Sequence, residues 1–319
     1  GGFFDQAISY MFFIYGVLKK VRDREYDLIF ASSSRLMTAV LGIYISKQKK
    51  APAYIDIRDI FLDTLKDILK PRVYNIVSPV ISYLERYVII NASKINLISE
   101  GFRDYFELKY GLKNASFFPN GIDDEFIDVL SGTEISTSTS SELRIVYAGN
   151  IGKGQALEKI IPDMLNHSRV NIKFRIFGSG SNLDLLKDKI DQTKINVVEF
   201  FGPVDRSQLI DEYMNSDILF LHLDNLECFE KVLPSKIFEY ASTGKPILAG
   251  VKGYSAEFIR NEIQNAEIFT PCNYKEALSS LDKLKLSTTK RNGFVEKYLR
   301  TKISVSMTED ILKVSKTAN

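Results

Sequence analysis

The chain has 319 residues, of which 45% are apolar and 26% are charged, the usual balance of a globular protein. Its 42 basic residues nearly equal its 40 acidic residues, and the formal net charge is +2. This composition excludes disorder over the whole length, and the balanced charge argues against a dedicated nucleic-acid-binding protein. The length predicts two domains.

Cysteines are few and long apolar runs are missing from the sequence. Cys228 and Cys272 lie far apart with no C-x-x-C pattern, which predicts two buried thiols of a cytosolic protein rather than a zinc site or a disulfide framework. The longest strongly apolar stretch, residues 10–18, is much shorter than the roughly 20 residues of a membrane span. The sequence begins with Gly-Gly-Phe-Phe, so we expect a truncated or processed chain.

In the first part of the chain, short apolar runs alternate with stretches of helical spacing. The pattern predicts strands at residues 26–31, 53–57, 95–99 and 115–119, and helices at residues 35–46, 73–91 and 101–110. This alternation is typical of βαβ units with a parallel sheet. Four strands are fewer than a doubly wound domain usually has, so we expect the first domain to be incomplete at its N-terminus.

A Ser/Thr-rich segment, residues 131–141, lacks apolar periodicity and predicts a linker. After it, the pattern predicts strands at residues 143–148, 172–177, 197–201, 217–221 and 246–249, and helices at residues 156–165, 183–191, 206–215 and 235–242. We therefore predict an α/β protein with two doubly wound, Rossmann-like domains, residues 1–135 and 142–299. Residues 291–316 predict a helical tail, and residues 300–319 are expected to pack back on the first domain.

Ligands of open parallel sheets bind beyond the carboxyl ends of the strands. Two glycine-rich turns follow the predicted strands at residues 143–148 and 172–177 and are therefore candidate binding sites. The first contains Gly149, Asn150, Gly152 and Lys153, so the backbone can approach a ligand closely and a lysine can bind phosphate. The alternative is a plain strand-to-helix turn with a solvated lysine.

The second turn, Gly178-Ser179-Gly180, begins like a dinucleotide-binding fingerprint, but Leu183 replaces its third glycine. Glu199 follows about 20 residues later, where such a fingerprint places a ribose-binding acid. The alternative is an ordinary tight turn.

A third segment places Pro234, Ser235, Lys236 and Glu239 at the start of a predicted helix. Ser235 is a typical N-cap, and both the helix N-terminus and Lys236 favour an anion. Glu239 follows about one turn later and can accept hydrogen bonds from two hydroxyl groups. The segment predicts a site for a diphosphate, next to a carboxylate that accepts hydrogen bonds from a diol. The alternative is a capped helix with one buried glutamate.

The remaining candidates give weaker signals. His167 is expected at the surface, and His222 is expected to line a cleft or to lie in the core. The sequence has no Asp-x-Asp triplet and suggests no metal site. In the first domain, Arg58, Asp59 and Asn120 follow predicted strands, where they contact a ligand or form ordinary turns.

Six segments occur in the order of a known family: YIDIRD, FFPNGID, VYAGNIGKGQ, FRIFGSGS, FFGPV and PSKIFEYASTGKPIL. Together they resemble the retaining, family-4-type glycosyltransferases of GT-B fold. They look like the bacterial subgroup that uses UDP-N-acetyl amino sugars in surface-polysaccharide assembly, such as N-acetylfucosamine transferases. The resemblance implies two Rossmann-like domains facing across a cleft, and transfer of a sugar from a UDP-sugar co-substrate to a hydroxyl acceptor, with retention and without a metal or other cofactor.

The resemblance also implies roles for single residues. Glu239 matches the glutamate that binds the nucleotide ribose, and Lys153 matches the basic residue that holds the diphosphate. Gly178, Gly180 and Val204 match backbone contacts around the base. The first glycine-rich turn, from Gly149 to Gly152, would lie close to the phosphates and the transferred sugar.

Two positions depart from the family pattern. The first glutamate of the Glu-x₇-Glu motif is Lys231 here, and the neighbouring Glu230 is the candidate for the donor-sugar contact. The usual arginine of the first turn is Asn150, and we expect Lys236 to compensate for it. Lys153 and Lys236 are therefore the expected catalytic cations, which stabilise charge on the departing diphosphate.

By analogy with the family, the acceptor is expected to be a lipid-linked saccharide. The sequence predicts a helix at residues 3–20, followed by basic residues. This helix either contacts an anionic membrane surface or faces the core. We expect a cytoplasmic protein that can bind peripherally to the inner face of the cell membrane. Three rival interpretations stay open: a UDP-sugar 2-epimerase, a dehydrogenase, and a non-catalytic nucleotide-sugar- or lipid-binding module.

Overall fold

The computed structural model describes residues 3–33, 35–127, 142–193 and 197–316, without the side chains of residues 3–7, 64, 67 and 68. The chain divides into one unit of Gly1–Pro119 with Ser304–Asn319, and a second unit of Asn120–Ile303. The predicted linker, residues 131–141, lies outside the described residues, as does the predicted domain boundary at residue 135. Both stay predictions.

The first unit contains a parallel sheet of four strands in the order β1-β2-β3-β4. The strands are β1 (Ile29–Ser33), β2 (Ala53–Ile57), β3 (Lys94–Leu97) and β4 (Ala115–Ser116). The helices are α1 (Phe3–Val21), α2 (Leu36–Lys49), α3 (Phe61–Ile68), α4 (Pro71–Asn91) and α5 (Arg103–Tyr110). Every residue of β2 is buried, as the apolar run AYIDI predicts for a strand paired on both sides.

The last helix, α13 (Arg300–Lys316), is held on this sheet by one carboxylate. Asp310 accepts hydrogen bonds from the hydroxyl groups of Tyr54 on β2 (2.9 Å) and Ser116 on β4 (2.6 Å). Strand β4 is shorter than the predicted run because the backbone N–H of Phe118 donates to the side chain of Asn96 (2.8 Å) instead of to a neighbouring strand.

The second unit contains a parallel sheet of six strands in the order β10-β9-β8-β5-β6-β7. The strands are β5 (Glu142–Ala148), β6 (Asn171–Phe177), β7 (Val198–Phe201), β8 (Ile218–His222), β9 (Ile247–Gly250) and β10 (Ala266–Phe269). The chain runs outward from β5 to β7 and then returns to place β8 beside β5. The carboxyl ends of β5 and β8 therefore form the switch point where open α/β sheets bind ligands.

The helices of this unit cover both faces of the sheet. They are α6 (Ile161–His167), α7 (Leu183–Thr193), α8 (Arg206–Met214), α9 (Lys236–Ser242), α10 (Tyr254–Glu262), α11 (Tyr274–Leu281) and α12 (Asn292–Tyr298). Neighbouring strand residues point to opposite sides, so Val146 and Leu219 belong to one apolar core and Ile145 and Phe220 to the other. The prediction of an α/β protein with parallel sheets is confirmed.

Two helices differ from the prediction for local reasons. The expected helix at residues 156–165 is a short 3₁₀ turn, Leu157–Lys159, followed by α6, whose second residue is Pro162. Proline fits the first turn of a helix but cannot continue an earlier one. The predicted tail helix is interrupted at Leu299, because Ile122 accepts from the N–H of Arg300 (2.8 Å) and donates to Tyr298 (2.7 Å).

Arg291 fixes the end of helix α9. Its buried guanidinium donates to the backbone carbonyls of Ala241 (3.1 Å), Lys245 (3.0 Å), Gln264 (2.6 Å) and Asn265 (3.2 Å). Burial lowers the pKa of Arg291 to about 10, so the group stays charged at neutral pH. One side chain thus ties α9 to the starts of β9 and β10.

Candidate functional site

The loops that follow β5 and β6 are joined backbone to backbone at the carboxyl edge of the second sheet. The N–H of Gly149 donates to Phe177 (2.8 Å), and the N–H of Ile151 donates to Ser179 (2.8 Å). A Cβ atom on Gly178 would lie 2.0 Å from the carbonyl oxygen of Gly149, and Gly178 has a φ of +129°. The close contact between the loops therefore requires glycine at this position, whether or not a ligand binds.

Lys236 extends from helix α9 onto the first of these loops. Its Nζ atom would lie 2.1 Å from a Cβ atom on Gly149, so the ammonium group occupies the space that the glycine leaves open. The ammonium donates to the hydroxyl of Tyr147 (3.1 Å) and lies 4.5 Å from the centre of its ring. Burial lowers the pKa of Lys236 to about 8, and the charge of Glu239 opposes that shift. The switch point therefore holds a poorly solvated cation.

The rest of the first loop is tied together by side chains. The hydroxyl of Tyr147 donates to the carbonyl of Asn150 (2.5 Å), and the amide of Asn150 donates to Gln155 (2.8 Å). Gln155 also accepts from the N–H of Gly152 (3.2 Å). Asn150 thus holds the loop in shape, and as a neutral amide it supplies no cation. Lys153 lies in the turn that this network forms, and its side chain is exposed.

Ser235 does not act as the N-cap that the sequence predicts. Its backbone is already helical, with φ −58° and ψ −31°, and among the described residues its hydroxyl accepts no capping hydrogen bond. An N-cap side chain reaches the first N–H groups from an extended backbone, and a helical Ser235 lacks that geometry. Ser235 is exposed and the preceding Pro234 is half-buried. The positive charge at this end of α9 therefore comes mainly from Lys236.

Glu239 lies one turn along α9 from Lys236, with its side chain 23% exposed. Burial raises the pKa of Glu239, whereas the neighbouring Arg206 and Lys236 lower it. The guanidinium of Arg206 lies 3.7 Å from the Oε1 atom of the carboxylate. The carboxylate is therefore partly open to solvent and faces a cation, rather than being sealed in an apolar interior.

Arg206 also binds acidic residues from the beginning of the second unit. It pairs with Asp123 and with Glu125 (2.9 Å), and Arg300 pairs with Asp123 at 2.6 Å. The side chain of Asp123 is only 14% exposed, so this carboxylate is held between two guanidinium groups rather than in open solvent. The sequence does not show this network because its members are far apart along the chain.

The remaining candidates make contacts within their own units. In the second unit, Glu230 pairs with Lys252 (2.7 Å), Val204 packs against an apolar core, and the carbonyl of Asn120 accepts from Arg300 (3.0 Å). In the first unit, Arg58 pairs with Asp56 (3.2 Å), and Asp59 lines a small cavity. The structure therefore brings together the residues of the two glycine-rich loops with Lys236 and, one turn further along α9, Glu239.

His222 is a core residue. Its Nε2 atom accepts from the backbone N–H of Cys272 (3.0 Å), so Nδ1 carries the proton and donates to the carbonyl of Gln155 (2.7 Å). Burial lowers the pKa of His222 to about 4, which keeps the ring neutral at pH 7. Cys228 and Cys272 are half-buried, not fully buried as the sequence predicts.

A dinucleotide fingerprint would place Glu199 at a ribose, but here Glu199 forms ion pairs within the sheet. It pairs with Lys173 (2.6 Å) and Arg175 (3.3 Å) of the neighbouring strand β6. This arrangement weighs against a dehydrogenase. Within the part of the chain that the structure describes, no group of three His, Cys, Asp or Glu residues is placed to hold a metal ion.

Sequence reasoning missed Tyr147 and Arg206. Tyr147 lies inside the apolar run LRIVYA, where a tyrosine is indistinguishable from other core residues. Arg206 follows Asp205, which caps α8 by accepting from the N–H of Gln208 (2.8 Å). The signal that could have identified Arg206 is its position at a helix start beyond the carboxyl end of a strand.

The interlocked loops make a testable prediction. Gly178→Ala places a methyl group against the carbonyl of Gly149 and should lower the free energy of unfolding by about 1–3 kcal/mol, measured by urea denaturation. Gly202→Ala is the matched control, because it also follows a strand but its Cβ atom would meet nothing within 4 Å. Equal stabilities of the two variants would contradict the packing role of Gly178.

A family profile described as "Glycosyl transferases group 1" matches residues 133–299. No curated protein sequence matches the chain significantly. The matched segment contains both glycine-rich loops and helix α9.

Solved structures of low sequence identity share the fold over most of the chain. Sucrose-phosphate synthase from Thermosynechococcus elongatus is 11% identical, with a TM-score of 0.74 over 96% of this chain and 78% of that protein. HepE from Anabaena in complex with UDP and glucose is 15% identical, with a TM-score of 0.72 over 94% of this chain and 81% of that protein. The lipopolysaccharide outer core galactosyltransferase WaaB in its apo form is 15% identical, with a TM-score of 0.65 over 94% of this chain and 79% of that protein.

These likenesses confirm the GT-B fold that the ordered segments imply. The family match covers more than half of the 319 residues, including the loops and the helix that form the candidate site. The chain therefore belongs to the glycosyl transferases of group 1 and is a nucleotide-sugar glycosyltransferase.

Proposed function

We propose that the protein transfers a sugar from a UDP-sugar to a hydroxyl acceptor. The observation that carries this proposal is the position of Lys236, a half-buried cation on the backbone of Gly149, one helical turn from the partly exposed carboxylate of Glu239. A cation and a carboxylate at this spacing fit a diphosphate and the adjoining ribose. The solved complexes of HepE with UDP and with UDP-glucose support uridine diphosphate as the nucleotide.

Lys236 is the main diphosphate-binding group in this proposal. A poorly solvated ammonium gains more from an added anion than a fully exposed one does, because less water screens the pair. In the family pattern an arginine of the first loop supplies this charge, and here that position is Asn150, whose amide holds the loop. The cation on α9 therefore replaces the cation of the loop.

Glu239 binds the ribose hydroxyl groups in the proposed complex. A carboxylate accepts two hydroxyl hydrogen bonds best when it is ionised, and Arg206 favours the ionised form against the effect of burial. The cluster of Asp123, Glu125 and Arg300 in turn holds Arg206 beside Glu239.

Lys153 acts mainly during the reaction. Its exposed side chain, on the turn that Gln155 closes, is free to move toward the phosphates when a donor binds. The bond between the sugar C1 and the phosphate oxygen breaks as the acceptor oxygen bonds to C1, and the departing phosphate takes the acceptor's proton. Lys153 and Lys236 stabilise the negative charge on that phosphate, which makes the catalysis chiefly electrostatic.

We further propose an N-acetylated amino sugar as the transferred group, retention of its anomeric configuration, and a lipid-linked saccharide as the acceptor in surface-polysaccharide assembly. The segment PSKIFEYASTGKPIL supports the sugar class through its resemblance to that bacterial subgroup. The similarity to WaaB, a lipopolysaccharide outer core galactosyltransferase, supports an acceptor of the cell surface.

A panel of UDP-sugars tests the reaction type. We expect UDP release from a UDP-N-acetyl amino sugar, and we expect release to be faster with a saccharide acceptor than with water. Conversion of the donor to its 2-epimer without transfer would indicate an epimerase. Tight binding of the donor with no turnover by any acceptor would indicate a binding module.

The ribose contact is tested by Glu239→Ala. A hydrogen bond to a charged group contributes roughly 1.5–3 kcal/mol, so UDP affinity should fall by about 10- to 150-fold, measured by calorimetry. Glu257→Ala removes an exposed glutamate from α10 and should leave the affinity unchanged. An affinity for UDP within about twofold of the wild type in Glu239→Ala would remove this residue from the proposed site.

The diphosphate contact predicts a dependence on pH. The free protein loses the Lys236 proton as the pH rises through about 8, so UDP must then bind together with a proton. We expect UDP affinity to fall about tenfold between pH 7 and pH 9. In Lys236→Met this fall should be missing, and the same variant controls for ionisation of the uracil base. An equal pH dependence in both proteins would contradict the assignment.

A further inference from the structure

The second unit has a cavity at the edge of its sheet that lies opposite the candidate site. The cavity has a volume of about 210 Å³, which is room for several water molecules or a small solute. Its lining comes from the amino ends of three neighbouring strands, with Arg144 on β5, Asp217 immediately before β8 and Lys245 two residues before β9. Residues 286–288 complete the lining.

Lys245 is a buried cation in this lining, with only 6% of its surface exposed. Its ammonium makes no hydrogen bond or ion pair with any residue in the described part of the chain. Burial lowers the pKa of Lys245; the charge of Asp217 opposes that shift, and the charge of Arg144 adds to it. A poorly hydrated ammonium is unfavourable unless an anion pairs with it. The cavity therefore contains a cation that still lacks a negative partner in contact with it.

Arg144 supplies a second cation to the same cavity. Its backbone is fixed, because its N–H donates to the carboxylate of Asp217 (2.8 Å) and its carbonyl accepts from the N–H of Asp217 (2.9 Å). Its exposed guanidinium makes one long hydrogen bond, to the carbonyl of Asn215 (3.5 Å). A guanidinium carries five N–H donors in a planar fork, so most of them stay available for a bidentate contact with an oxyanion.

Asp217 adds one carboxylate to these two cations. The charged residues of the lining are Arg144, Asp217 and Lys245, so the lining has a net charge of +1. The Oδ2 atom of Asp217 accepts from the backbone of Arg144, and its other oxygen can accept a hydrogen bond from a ligand. A ligand that has both anionic oxygens and a hydroxyl proton to donate satisfies all three groups. Hydrogen phosphate has both, whereas sulfate and carboxylate ions carry no such proton at neutral pH.

Specific hydrogen bonds hold the segment that completes the cavity. The side-chain amide of Asn265 donates to the carbonyl of Ser287 (3.1 Å), one of the lining residues. Two residues further along, the N–H of Thr289 donates to the carbonyl of Gly244 (2.8 Å), the residue before Lys245. The segment is therefore fixed beside Lys245 from both sides, and the binding groups of the cavity are supported as a built site requires.

We propose that this cavity binds a phosphate group, either as inorganic phosphate or on a small phosphorylated molecule. Lys245 and Arg144 bind the anionic oxygens, and Asp217 accepts the proton of hydrogen phosphate or of a hydroxyl group on the attached molecule. The site is separate from the candidate diphosphate site, because β5 covers about 17 Å from Arg144 to Gly149 at roughly 3.3 Å per residue. Phosphate and UDP can therefore bind at the same time.

Calorimetric titration with inorganic phosphate, at an ionic strength kept constant with sodium chloride, tests the site. We expect saturable binding by the full chain and equally by Lys236→Met, which lacks the cation of the candidate diphosphate site. Lys245→Met should bind phosphate at least about tenfold more weakly, because it loses a charge-assisted hydrogen bond. Lys290→Met is the matched control, since it removes the same charge from an exposed residue outside the cavity lining.

Further variants and ligands sharpen the test. Arg144→Gln changes an exposed side chain, keeps the backbone contacts with Asp217 and should also weaken phosphate binding about tenfold. Sulfate, which has no proton for Asp217, should bind at least about tenfold more weakly than phosphate. Glucose 1-phosphate distinguishes the two sources of the phosphate group: tighter binding than that of inorganic phosphate assigns the cavity to a phosphorylated molecule, and weaker binding assigns it to the free ion.

Three results would overturn the proposal. They are the lack of saturable phosphate binding by the wild-type chain, equal phosphate affinities of Lys245→Met and Lys290→Met, and loss of the binding in Lys236→Met, which would assign the phosphate to the candidate diphosphate site. Sulfate that binds as tightly as phosphate would contradict the role of Asp217. Thermal unfolding without phosphate shows whether each variant is folded, and Arg144→Gln decides the question if Lys245→Met does not fold.

Discussion

The candidate site depends on a half-buried ammonium that lies on a glycine backbone. Lys236 reaches Gly149 because that residue has no Cβ atom and a φ of +136°, and its charge is partly stabilised by the ring and hydroxyl of Tyr147. Charge in a poorly hydrated position is unfavourable unless an anion or strong dipole approaches it. The protein therefore keeps a cation whose full stabilisation awaits a negatively charged ligand, and the surrounding structure serves to hold that cation in place.

Several distant contacts support this arrangement. Arg291 binds the end of α9 and so helps to hold the helix that carries Lys236, and Gly178 lets the loop after β6 contact the loop after β5 closely. His222 binds the carbonyl of Gln155, whose side chain closes the turn around Lys153. Precise placement of binding groups requires such supporting contacts, because a lysine side chain alone has many rotamers of similar energy.

Much of the fold could be predicted from the sequence, since apolar runs such as LRIVYA and AYIDI reveal buried parallel strands directly. Strand β10, AEIF, was missed because an edge strand is half-exposed and its apolar pattern is weak. The site residues that follow strands, among them Lys153 and Lys236, could be selected by position. The ion pairs of Arg206 with Asp123 and Glu125 could not, since they join residues about 80 positions apart whose meeting depends on the finished fold.

The charges around Glu239 and Lys236 suggest how ligand binding and protonation are coupled in this site. Burial shifts both groups toward their neutral forms, raising the pKa of Glu239 and lowering that of Lys236 to about 8. A diphosphate beside Lys236 adds negative charge, which favours the ammonium and raises its pKa again. The same added charge disfavours an ionised Glu239 unless Arg206 stays beside it. In the proposed complex, the pairing of Arg206 with three carboxylates therefore has a physical reason: it keeps positive charge near Glu239 when a diphosphate binds.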